Sequence, residues 1–299
     1  MKNIPKLSPR HYELFPFLKI IHNVGPYFLF NFVRLMHSSL FNAFHIFNIQ
    51  SKQLLCINRI FTMSRRQLLL ISSSRVHGFK YLEHSKDQIN NLLKKKEVDT
   101  VLFVPYALKD HDKYTETVGN ALSAWGYKVE GLHTKSNQID AVKNAQAIFV
   151  GGGNTFVLLK TLYEKNLVET IRERVLQNGI PYIGSSAGTN VATRSIHTTN
   201  DMPVDYPPTF DALQLVPFNI NPHYLETDLE TKHKGETRDE RINEYIDYHS
   251  LPVLGLREGT SLLVDGDKAT LMGDRNAKLF KADKEQVEYP PQSDLSFLL

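Results

Sequence analysis

From Gln67 onward the chain alternates short apolar runs with longer segments of helical period, and this alternation constrains the fold more than any other feature. The runs at 68–72, 100–105, 147–150 and 181–184 are almost continuous in Leu, Ile, Val, Phe and Tyr. Strands of that kind are buried on both faces, as happens when helices cover a parallel sheet on either side. Helical patterns fill the gaps at 86–97, 113–126, 154–164 and 166–178, with a shorter strand pattern at 128–132. The fold class that follows is α/β: a doubly wound, mostly parallel sheet with helices on both faces. Beyond residue 250 the runs at 253–256, 261–264 and 269–272 lie close together, the last two joined by Asp265-Gly266-Asp267. That turn predicts an antiparallel hairpin finishing one edge of the sheet.

The first 62 residues are a different kind of sequence. They carry seven basic side chains (Lys2, Lys6, Arg10, Lys19, Arg34, Lys52, Arg59) and one acid, Glu13, which gives +6. The whole chain is only +3, so the remainder sums to 3 − 6 = −3. Nine of the 17 phenylalanines also fall in this segment. Its longest uncharged runs, 20–33 and 35–51, are interrupted by His, Asn or Ser and are too short to span a membrane. It shows no compact apolar stretch with a small-residue cleavage site, and it has fewer Arg and Ser than a mitochondrial leader usually has. Met63 opens directly onto the first strand run, so 63–299 is expected to be one domain and 1–62 a basic, aromatic-rich extension outside it. The small net charge argues against nucleic-acid and membrane partners. A single cysteine, Cys56, excludes a disulfide framework and fits a reducing, cytoplasmic compartment.

Two glycine-rich turns carry the chemistry. Gly184-Ser185-Ser186-Ala187-Gly188 follows an apolar strand and precedes a helical pattern, which is the G-x-S-x-G nucleophile elbow in its required context. The sharp turn pushes the Ser186 hydroxyl out above the sheet, although small residues at a tight turn would read the same way. Gly151-Gly152-Gly153-Asn154-Thr155-Phe156 closes the run before it, with Asn154 placed to cap a helix. Both turns sit at carboxyl ends of strands, where open α/β sheets bind ligands. The N–H groups of Gly153 and Ala187 are therefore the expected oxyanion hole. Asn154 stands where a phosphate-binding loop needs lysine, and the dinucleotide G-x-G-x-x-G spacing is missing. A serine nucleophile needs a base and an orienting acid. His223, after the run Ile220-Asn221-Pro222, is the leading base, and Asp201 and Glu258, both in loops beside Gly or Pro, are the candidate acids.

These motifs together with His233-Lys234-Gly235-Glu236-Thr237-Arg238 resemble, in order and spacing, the peptidase E family of α-aspartyl dipeptidases. The resemblance runs from Met63 to about Lys281. It implies a fold similar to class I glutamine amidotransferases and a serine exopeptidase that hydrolyses Asp-Xaa dipeptides through an acyl-enzyme. It implies Ser186 as nucleophile and His223 as general base. Asp201 matches the position usually assigned to the charge relay and Glu258 an acid proposed for it on structural grounds, so both compete for the third place. Arg238 alone reads as a helix-surface charge; the resemblance makes it the group that binds the substrate's aspartyl side chain, and Asn154 joins it as a substrate-binding candidate. Small peptides are the implied partners, no metal or organic cofactor is implied, and a homo-oligomer is compatible. The competing readings are a hydrolase of β-aspartyl or cyanophycin-like substrates and a catalytically silent amidotransferase-like binding module.

Overall fold

The computed structural model describes residues 65–226, 235–282 and 284–299, so the readings of residues 1–62 lie outside the described residues. The unit from Met63 to Leu299 begins with β1 (Gln67–Ile71), α1 (Lys86–Lys94), β2 (Thr100–Val104), α2 (His111–Ser123), β3 (Lys128–Gly131), α3 (Gln138–Lys143) and β4 (Ala147–Val150). It continues with α4 (Thr155–Glu164), α5 (Val168–Leu176), β5 (Tyr182–Ser185) and α6 (Ala187–Asn190). The last part holds β6 (Asn219–Asn221), α7 (Arg238–His249), β7 (Val253–Leu256), β8 (Thr260–Asp265), β9 (Lys268–Gly273), β10 (Ala277–Phe280) and β11 (Val287–Tyr289).

Seven strands form one sheet in the order β3-β2-β4-β5-β1-β8-β9. Its first five strands are parallel, and β8 and β9 add an antiparallel edge, as the turn at 265–267 predicts. The apolar runs explain the layers. Successive side chains of a strand point to opposite faces. Leu68, Leu70, Leu102, Val104, Ile148, Val150 and Tyr182 therefore enter one core with α4 and α5. Leu69, Ile71, Val101, Phe103, Ala147, Phe149 and Ile183 enter the other with α1 and α2. Each helix supplies a matching stripe, such as Tyr114, Val118 and Leu122 at four-residue spacing on α2.

The run at 253–256 departs from the one-sheet expectation. It forms β7 of a second sheet, ordered β11-β10-β7-β6, in which β6 and β7 are parallel. The strand β6 is only three residues long and reads Asn-Ile-Asn, so it has no periodicity to announce it.

Burial in this fold gives stability a pH dependence. His84, His111 and His197 are each held below the ordinary histidine value of 6.5 by desolvation. His197 also faces His249, with ring centroids 4.7 Å apart, whose charge opposes its protonation, while Asp211 acts the other way. The unfolded chain therefore takes up protons that the native state resists once pH falls below the unfolded value near 6.5. The melting temperature is expected to be flat above that value and to fall between about pH 6.5 and about pH 5, before the carboxylates titrate. Replacing His197 by Phe should flatten this decline; an unchanged slope would remove His197 from the account.

Candidate active site

The elbow is built as the sequence demands. Ser186 has φ 53° and ψ −109°, a conformation that L residues avoid and that persists only where the surroundings enforce it. Those surroundings are tight. A Cβ on Gly188 would lie 2.0 Å from the Val150 carbonyl oxygen, and one on Gly184 would lie 2.6 Å from the Gly188 oxygen. The Ser186 N–H donates to the Ile71 carbonyl at 3.0 Å, and Thr189 Oγ1 donates to the same oxygen at 2.7 Å. Tyr182 Oη donates to the Gly188 carbonyl at 2.6 Å. The helix after the elbow is a single turn, α6, so its dipole is short and oxyanion stabilisation falls to individual N–H groups.

The other glycine turn packs directly on the nucleophile. A Cβ on Gly152 would meet the Ser186 Cβ at 3.0 Å. Gly153 adopts φ +136°, and a Cβ there would strike the Ala107 carbonyl oxygen at 2.3 Å, so this position requires glycine. Gly152 and Gly153 line the same cavity as Ser186. Ala187, the first residue of α6, is buried beside it.

The second sheet delivers the base and the acid. Parallel pairing sets Asn221 of β6 beside Gly255 of β7, so the residues that follow each strand emerge at the same end. His223 Nε2 lies 2.9 Å from Ser186 Oγ, and His223 Nδ1 lies 2.7 Å from Glu258 Oε1. An ionised carboxylate can only accept, so Nδ1 carries the ring proton and Nε2 is left to accept from the serine hydroxyl. The His223 N–H donates to Ser72 Oγ at 2.9 Å, and Ser72 Oγ donates to the Leu256 carbonyl at 2.8 Å. The end of β1 thus ties the base to the strand that carries the acid. Arg257 reinforces this: its guanidinium bonds Glu226, Glu288 at 2.8 Å and the Asn276 carbonyl at 2.7 Å.

Three of the expected site residues sit as follows. Asp201 does not touch His223. Its Oδ2 accepts from the Thr155 N–H at 2.7 Å, from Thr155 Oγ1 and from Thr199 Oγ1 at 3.1 Å, which places the carboxylate at the N-terminus of α4. Between the two competing acids, Glu258 holds the imidazole. Asn154 is held within the protein by three bonds: Oδ1 caps α4 by accepting from Phe156 N and Val157 N at 3.1 Å each, and Nδ2 donates to the Met202 carbonyl at 2.9 Å. Its amide positions the glycine turn. Arg238 is the first residue of α7 and does not line the catalytic cavity. It is half-buried, its Nη1 has no hydrogen-bond partner, and burial together with the nearby Arg241 lowers its pKa.

The cavity over Ser186, of about 630 Å³, is walled instead by Arg75, Lys109 and Lys113 together with Tyr81 and Tyr114. None of these was singled out from the sequence. Arg75 follows the serine run Ser72-Ser73-Ser74 just past the carboxyl end of β1, and the rule that ligands bind at such ends was the signal available. Among the described residues no group of three or more His, Cys, Asp or Glu is arranged to hold a metal ion, and no helix is long and apolar enough to cross a membrane.

Known proteins share much of this sequence and this fold. The model of peptidase family S51 matches residues 68–272. A Drosophila melanogaster protein named "probable alpha-aspartyl dipeptidase" is 68% identical over 236 residues, covering 79% of this chain and 98% of its own. A "peptidase E" of Streptomyces coelicolor is 49% identical over 232 residues, covering 78% of this chain and 94% of its own. The crystal structure of a peptidase from an acI-B1 Actinobacterium superposes with a TM-score of 0.60 at 18% identity, over 79% of this chain and 98% of that one, which supports the fold. The chain belongs to peptidase family S51.

Proposed function

We propose that this protein is a serine dipeptidase that hydrolyses Asp-Xaa through an acyl-enzyme. The observation that carries the reading is the continuous relay Ser186–His223–Glu258, with contacts of 2.9 and 2.7 Å, above a strained elbow. In the first half-reaction Ser186 Oγ bonds to the scissile carbonyl carbon as its proton passes to His223 Nε2. Glu258 holds the imidazole in the right tautomer and stabilises the imidazolium. The Gly153 and Ala187 N–H groups face the oxygen that gains charge. The C–N bond then breaks as His223 gives its proton to the departing amine, and Xaa leaves. Water, deprotonated by His223, attacks the ester, and aspartate departs as Ser186 regains its proton. The triad generates its own nucleophile, so no step calls for a metal or organic cofactor.

Preference for aspartate is supported by the names of the relatives at 68% and 49% identity. Arg238 remains the proposed partner of the aspartyl carboxylate. A cytoplasmic location is part of the same reading and fits the single cysteine. The test is hydrolysis of Asp-Leu beside Glu-Leu, Ala-Leu, the β-linked isomer of Asp-Leu and N-blocked Asp-Leu. Cleavage confined to α-Asp-Leu is expected. Cleavage of the β-linked isomer alone would replace the substrate class, and no cleavage of any would favour a binding module.

A further inference from the structure

An Asp-Xaa dipeptide presents two carboxylates, the aspartyl side chain and the C-terminal group of Xaa. The active-site cavity offers more positive charge than one of them needs. Arg75, Lys109 and Lys113 all line it, and among the described residues none of the three forms an ion pair. Lys95, Lys160, Arg172 and Arg257, by contrast, are paired with carboxylates. The two acids lining the cavity are already used. Asp110 caps α2, accepting from the Lys113 N–H at 3.0 Å, and Glu258 holds His223. Unpaired cations collected around a nucleophile are a field waiting for an anion.

The position of Arg75 identifies which anion. Departure of Xaa requires its nitrogen to receive the proton from His223, so the leaving residue lies on the histidine side of Ser186. Arg75 belongs to that side. It comes three residues after Ser72, which accepts the His223 N–H at 2.9 Å. The Ser73 hydroxyl fixes its backbone, donating to the Arg75 carbonyl at 2.6 Å and accepting from the Arg75 N–H at 3.2 Å. Its guanidinium lies 5.8 Å from the centroid of the Tyr81 ring, an aromatic face that steadies a cation without neutralising it. Lys109, by contrast, follows Ala107 and Leu108, which pack on Gly153 at the oxyanion side. A guanidinium fork suits a carboxylate bidentately.

We propose that Arg75 binds the C-terminal carboxylate of the substrate and so favours peptides that end one residue after the scissile bond. This rests on the Asp-Xaa reading above and assigns Arg75 a subsite distinct from the one proposed for Arg238. The experiment compares Asp-Leu with Asp-Leu carboxamide, which keeps the aspartyl side chain and loses the terminal charge, in the full chain and its Arg75→Gln and Arg75→Lys variants. The parent is expected to favour Asp-Leu over the carboxamide by about 10- to 100-fold in kcat/KM. Arg75→Gln should lose about that factor on Asp-Leu, mostly in KM, and stay within about 2-fold of the parent on the carboxamide. Arg75→Lys should recover part of the loss, since it keeps the charge without the fork. Equal losses on both substrates, or none on either, would overturn the assignment and leave the dipeptidase reading standing. A parent that cleaves neither would overturn both. Melting curves of the variants separate a binding defect from a folding one.

Discussion

Replacing Ser186 by Ala is expected to abolish turnover of Asp-Leu, with kcat falling by about 10⁴-fold or more, while the melting temperature stays close to that of the parent. The two halves of this result have separate causes. Ser186 Oγ makes one side-chain hydrogen bond, at 2.9 Å to His223 Nε2, so its removal costs the fold little. The φ of 53° strains Ala as it strains Ser, and the Cβ against Gly152 is kept. What vanishes is the atom that forms the acyl bond. Residual activity, if measurable, reports the oxyanion donors and binding alone. A variant that retained more than about one hundredth of parental kcat, with an intact melting curve, would sink the acyl-enzyme mechanism.

The nucleophile was legible because its signals are local. An elbow needs an apolar strand, a small-residue turn and a helix start within a few residues, and 182–190 holds all three. The leucines of β1 announced burial on both faces for the same reason. The identity of the acid was not legible, because it depends on strand pairing across 35 residues. Asp201 and Glu258 occupy similar loop contexts, and only the parallel pairing of Asn221 with Gly255 brings the second to the imidazole. The sequence pattern hides that pairing: β6 has three residues, two of them asparagine, and 253–256 looks like the start of the hairpin that follows. The second of those asparagines is busy with the loop that carries Asp201. Asn221 Nδ2 donates to the Thr198 carbonyl and to Asn200 Oδ1, both at 2.8 Å, and Asn200 Nδ2 donates to the Pro222 carbonyl at 2.7 Å. The segment therefore lies close to the base in space while its carboxylate turns away toward α4.

The distinction between the two acids predicts opposite phenotypes for two isosteric substitutions. Glu258→Gln removes the charge that fixes the imidazole tautomer, since an amide can offer a donor to Nδ1 and stabilise the wrong form. A loss of about 10²- to 10⁴-fold in kcat is expected, by analogy with the same change in other serine triads. The Glu258 side chain is 41% exposed and its hydrogen-bond partner is His223, so melting should hardly move. Asp201→Asn should do the reverse. Thr155 N and Oγ1 lose a charged acceptor at the N-terminus of α4, which costs about 0.5–1 kcal/mol and lowers the melting temperature. The rate should fall by no more than about 10-fold, and only because α4 begins where the glycine turn ends, so that fraying there loosens Gly153. Measuring kcat and melting for both variants on Asp-Leu decides the matter. If Asp201→Asn carried the large rate loss and Glu258→Gln the shift in melting, the relay assigned here would be wrong, however short the contact between His223 and Glu258.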